Sequence, residues 1–93
     1  MLIGILTVEL YLSEANSLKE KRRVLKSVID RIKARFNVSI AEVGQQDTWQ
    51  RSTLGVAFIS NKQSHVHKVL AAVLNFIHAQ GTVVITNYQT QVL

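Results

Sequence analysis

The chain has 93 residues, 47% of them hydrophobic and 18% charged, with a formal charge of +5. These values predict one globular domain over residues 1–93, with room for a single core, and exclude a disordered chain. Cysteine is absent, which excludes disulfides, thiolate metal sites and a cysteine nucleophile. With no proline and only four glycines, no linker or low-complexity tract interrupts the chain.

Taken in order, Leu2, Leu6, Val8, Leu10 and Leu12 share one parity, the period-two signature of a strand with one apolar face. This apolar start carries Glu9 and lacks a basic leader. It is too short to cross a bilayer, so a cytoplasmic protein with no membrane association is expected. After the polar turn Ser13–Asn16, Ser17-Leu-Lys-Glu20 forms a capping box. Leu18, Leu25, Val28, Ile29, Ile32 and Phe36 then recur at helical spacing. Val38 to Val43 is extended, Gly44 to Gln50 is the longest polar connection, and Arg51 to Ile59 is a third strand. Ser60-Asn-Lys-Gln63 offers a second cap. Val66, Val69, Leu70, Val73, Leu74 and Ile77 form a second amphipathic helix, with Gly81 as its stop. Thr82 to Leu93, rich in Val, Ile, Thr and Tyr, reads as the last strand.

The order β-α-β-β-α-β predicts an α+β ferredoxin-like sandwich, a four-stranded antiparallel sheet with two helices on one face. Another α+β arrangement of the same elements is the second choice. A parallel doubly wound sheet is disfavoured, because strands two and three are joined without a helix. The uncovered face should carry Ile3 and Ile5, with Ile59 and either Val84 or the pair Val83 and Ile85. A face this apolar calls for a cover, so a homo-oligomer is expected, foremost a two-fold dimer packing sheet on sheet or edge on edge. The plain alternative is a monomer with scattered surface aliphatics.

Charge is the most informative feature. Eight of the eleven basic residues fall between Lys19 and Arg35, with only Glu20 and Asp30 opposing them. The window therefore carries a surplus of six, and the remaining three basic and four acidic residues leave the rest of the chain at −1. Lys19, Arg22, Arg23, Lys26 and Lys33 lie along one flank of the apolar stripe, and Arg31 and Arg35 along the other. Such a ridge points to a polyanion, RNA or the ribosome, held through phosphate contacts. The competing reading is a solvated helix face, but that usually intersperses both signs.

Other candidates are weaker. Tyr11, Trp49 and Tyr88 are aromatic, yet no Lys/Arg-Gly-Phe-type run accompanies them. Phe58 shares parity with Leu54 and Val56 and reads as core, so base stacking on the sheet face is disfavoured. His65 and His67 face different ways on a helix and His78 is distant, so no metal site is expected. Glu42 and Asp47 flank the polar connection without a nucleophile or histidine beside them, so catalysis there is disfavoured. In that connection Asp47 is expected to organise the turn, Trp49 to plug the edge of the core, and Arg51 to pair with an acid. If the loop is functional, Trp49 and Arg51 form a second, weaker contact.

Three blocks carry a resemblance: Ser17-Leu-Lys-Glu-Lys-Arg-Arg-Val-Leu-Lys26, Arg35-Phe-Asn-Val-Ser-Ile-Ala-Glu-Val43, and Gln46-Asp-Thr-Trp-Gln-Arg51 followed by Thr53-Leu-Gly-Val-Ala57. Together they resemble the YlxP-like bacterial proteins, a domain family of unknown function, over nearly the whole chain. The resemblance implies a ferredoxin-like fold, a small cytoplasmic protein and, from the frequent gene neighbourhood of translation factors, a role near RNA or the ribosome. It supplies no catalytic residues and no cofactor. Gly44-Gln45 departs from the polar or acidic pair typical there, which weakens any role resting on charge in this loop. The function expected is therefore a non-enzymatic RNA- or ribosome-associated accessory factor. The alternatives are a homo-oligomeric protein-interaction or ligand-binding regulatory module with no nucleic-acid role and, behind both, an enzyme using Glu42 or Asp47.

Overall fold

The computed structural model describes all 93 residues. Strand β1 spans Leu2–Tyr11, helix α1 Leu18–Arg35, β2 Ser39–Gly44, β3 Arg51–Ser60, α2 Gln63–His78 and β4 Val84–Val92. The sheet order is β2-β3-β1-β4, with every neighbouring pair antiparallel. This is the ferredoxin-like sandwich that the order of elements predicts.

Alternation builds the core. Leu6, Val8 and Leu10 of β1 and Leu54, Val56 and Phe58 of β3 face the helices, with Ile40 of β2 beside them. From above, Leu25, Val28 and Ile32 of α1 and Val66, Leu70, Val73 and Ile77 of α2 close the same cluster. Gly4 lets α2 approach β1 closely: a Cβ there would collide with Val66 and touch Leu70.

The start of α1 follows the capping box with one change. Ser17 Oγ accepts from the Glu20 amide at 3.1 Å, while the Glu20 carboxylate reaches back to the Asn16 amide rather than to Ser17. The second cap is different. Lys62 occupies the cap position of α2 without a side-chain bond, and Ser60 Oγ instead accepts from the Lys62 amide at 3.2 Å. Nor does Gly81 stop α2. The helix ends at His78, no glycine has positive φ, and the Gln80 side chain caps the Phe76 carbonyl.

The open face carries Ile3, Ile5 and Ile59, and of the two options in the last strand Val84 joins them, 56% exposed. Val83 is buried and Ile85 packs toward the core. A bulge at Thr86, between the pairs Glu9–Asn87 and Leu10–Ile85, shifts the parity of β4.

Candidate nucleic-acid interface

Lys19, Arg22, Arg23, Lys26 and Lys33 are all exposed on α1. From Lys19 to Lys33 they run along about 21 Å of helix axis. The other flank is used inside the molecule. Arg31 donates to Gln80 Oε1 at 2.8 Å, and the Arg35 guanidinium lies 5.3 Å from the centre of the Phe76 ring. That flank faces α2, so the five-residue row looks outward, over the side of the sheet where edge strand β2 lies.

Little neutralises the row. Lys26 pairs with Asp30 at 2.6 Å, but the two side chains are 77% and 57% exposed. An exposed i,i+4 pair is worth about 0.3–0.5 kcal/mol, which an incoming phosphate can replace. Lys19, Arg22, Arg23 and Lys33 hold no carboxylate. Arg23 shares a groove with Glu14 and Glu20 without an ion pair.

One cation of the window does not belong to the ridge. Lys21 is completely buried. Its ammonium meets Glu42 Oε2 at 2.9 Å and donates to the carbonyls of Gln45 and Thr48, each at 2.6 Å, with Gln46 O at 3.5 Å. Glu42 also accepts from the buried Ser52 hydroxyl at 2.6 Å. Counting charges along the sequence misses this network, although a signal is present. Lys21, Leu25, Val28 and Ile32 stand four, three and four residues apart, on one helix face. Glu42 shares parity with core-facing Ile40, and Ser52 with Leu54. Three polar residues occupy core positions on three elements, as a mutually satisfied cluster requires.

Lys21 shapes the β2–β3 loop. Its bonds gather the loop carbonyls under the first turns of α1, and the Thr48 amide closes the turn on Gln45 O at 3.2 Å. Gln45 has φ 57°, the left-handed region that L-residues avoid. The far end of the loop is tied to the β1–α1 connection: Leu12 N donates to Gln50 O at 2.9 Å and Gln50 Nε2 to Ser13 O at 3.1 Å. Asp47 makes no hydrogen bond and is exposed, so Lys21 organises this turn in its place. Trp49 does not plug the core edge; it is 55% exposed. Arg51 pairs with no acid, and its guanidinium lies 5.0 Å from the centre of the Tyr11 ring.

Glu42 and Asp47 do not act together, because Lys21 and Ser52 occupy Glu42. The histidines lie apart. His65 packs edge-on against Phe58, 3.3 Å from Ser60 Oγ, and His67 faces Gln63. No three His, Cys, Asp or Glu side chains converge at metal-binding distance. No helix is long and apolar enough to cross a membrane.

Residues 3–90 match the family model described as a protein of unknown function, DUF503. The chain belongs to the DUF503 family. Over 76 residues it is 47% identical to the uncharacterized protein YlxP of Bacillus subtilis (strain 168), a stretch covering 82% of this chain and 83% of that protein. In this DUF503 chain the first turns of α1, which carry Lys19 and Arg22, and the β2–β3 loop are joined through the single buried side chain of Lys21.

Proposed function

We propose that this DUF503 protein binds RNA, free or within the ribosome, as a non-enzymatic accessory factor in the cytoplasm. Lys19, Arg22, Arg23, Lys26 and Lys33 hold backbone phosphates. The observation carrying this reading is a row of five outward-facing cations, of which four have no carboxylate partner. A helix needs no such imbalance for solubility, and phosphate contacts need only cations spaced along a strand. Trp49 and Arg51, both exposed at the end where α1 begins, supply a second contact. Sedimentation of the protein with bacterial ribosomal subunits in low-salt sucrose gradients tests the reading. Wild type should travel with a subunit and the variant with all five cations changed to Gln should stay at the top. Wild type found only at the top would refute the ribosomal form of the proposal.

A second reading, compatible with the first, has its own support. Residues 79–93 contain no Lys, Arg, His, Asp or Glu. Just past β4, Leu93 exchanges both backbone bonds with Ile3, so the alternate residues Tyr88, Thr90 and Val92 turn their N–H and C=O groups to the free edge. The Tyr88 amide is covered by its neighbour, Asn87 Oδ1, at 2.9 Å. In a protein of charge +5 this uncharged edge is where a second copy meets least repulsion. A two-fold antiparallel pairing about Thr90 would join two sheets into one.

A further inference from the structure

We infer that Trp49 is a stacking platform for an unpaired nucleotide, so that the polyanion lying on α1 is single-stranded where it passes the β2–β3 loop. The platform rests on the phosphate-binding reading of α1 and specifies the form of nucleic acid that reading leaves open.

Trp49 is the only tryptophan of the chain, and more than half of it faces solvent. Exposing the largest apolar side chain forgoes the burial that normally stabilises it. The loop beneath it is not slack. Thr48, on one side of Trp49, is held at 2.6 Å by the buried Lys21 ammonium. Gln50, on the other side, is held through its backbone carbonyl by Leu12 and through its side chain to Ser13. Gln45 takes up a left-handed conformation within the same turn. A loop that merely joins two strands needs neither a buried cation nor a strained residue; a loop that must present a fixed ring gains from both. Holding the backbone on both sides of the ring in advance removes ordering entropy from the binding step.

Position supports the same conclusion. Lys21 lies between Lys19 and Arg22 in sequence, so the side chain that anchors Thr48 comes from the turn that carries the ridge's first cations. The loop therefore stands within one lysine's reach of the helix turn from which Lys19 and Arg22 project. A strand whose phosphates follow Lys33, Lys26, Arg22 and Lys19 ends its run at that turn, the one tied to the loop that carries Trp49. Arg51, two residues farther on, is exposed, with its guanidinium carbon 5.0 Å from the centre of the Tyr11 ring. In a duplex the base faces are stacked on one another and the RNA major groove is too narrow for side chains, so an indole finds no face to cover. Unpaired bases all offer one, and stacking on an aromatic ring tolerates any sequence.

Because position 49 holds the single tryptophan, fluorescence excited at wavelengths where the two tyrosines do not absorb reports on this ring alone. The probes are an oligouridylate of about twelve nucleotides, within the usual range for single-strand sites, and an RNA duplex of equal length. Bound fraction is measured separately, by anisotropy of labelled RNA. At equal saturation the oligouridylate should quench the emission and the duplex should leave it unchanged. Trp49→Ala should weaken the single strand about tenfold and the duplex less than twofold, while Trp49→Phe keeps most of the affinity. The substituted side chain is exposed, so these variants should melt with wild type. Oligouridylate that binds without quenching, with Trp49→Ala matching wild type, would overturn the platform and leave the ridge reading intact; Trp49 would then belong to a protein contact. If neither RNA binds wild type at low salt, the ridge reading fails and the platform with it.

Discussion

Lys21→Met removes the ammonium that joins α1 to the β2–β3 loop while keeping most of the side chain's apolar stem. Two short bonds to carbonyls are lost, along with a 2.9 Å ion pair. A bond to a charged donor is worth about 1.5–3 kcal/mol, and leaving one partner of a fully buried pair uncompensated costs about 3–5 kcal/mol. Both figures shrink here. The freed carbonyls belong to exposed residues and regain water, and Glu42 is 17% exposed and keeps its bond from Ser52. The net destabilisation should be about 2–4 kcal/mol. For a domain of this size that lowers Tm by roughly 10–25 °C. Urea denaturation followed by circular dichroism measures it. Adding Glu42→Gln to Lys21→Met should recover at least about 1 kcal/mol, because the second change removes the stranded charge. A Lys21→Met protein within about 0.5 kcal/mol of wild type, the usual range of a neutral surface substitution, would refute the claim that this lysine holds the loop.

Three further outcomes follow from the fold. Gly4→Ala places a methyl group against Val66 and Leu70 and should cost about 1–3 kcal/mol in denaturant unfolding, the usual penalty of overpacking. Ser17→Ala loses the bond to the Glu20 amide and should cost about 1 kcal/mol by the same measurement. In sedimentation equilibrium wild type should dimerise. Thr90→Pro, which removes an outward N–H without touching the ladder to β1, should be monomeric at every concentration; a monomeric wild type would end the edge-pairing reading.

The architecture was legible because alternation in β1 and β3 and the stripes of α1 and α2 are strong, regular signals. What misled was local. The parity of β4 broke at a bulge that no residue near Thr86 announces. Gly81 looked like a helix stop, but side-chain capping by Gln80 had already closed α2. In the site, the five cations of the ridge were readable from angular position alone, and all five are exposed. Lys21 adds to the net charge of the window, which ignores direction, yet its place in line with Leu25, Val28 and Ile32 marks it as inward-facing. Trp49 and Arg51 were harder, since burial of a loop residue depends on which segment crosses it. Here the segment is anchored through Lys21, and that anchor exists only once three separated elements meet.

The most direct test of the ridge is the salt dependence of its affinity for RNA. Each phosphate neutralised on a single strand contributes about −0.7 to the slope of log K against log salt. Four or five contacts on α1 predict a wild-type slope of about −3, and a slope no steeper than about −0.7, the share of Arg51, once Lys19, Arg22, Arg23, Lys26 and Lys33 are all changed to Gln. Equal slopes for the two proteins, or an affinity indifferent to salt, would contradict the account.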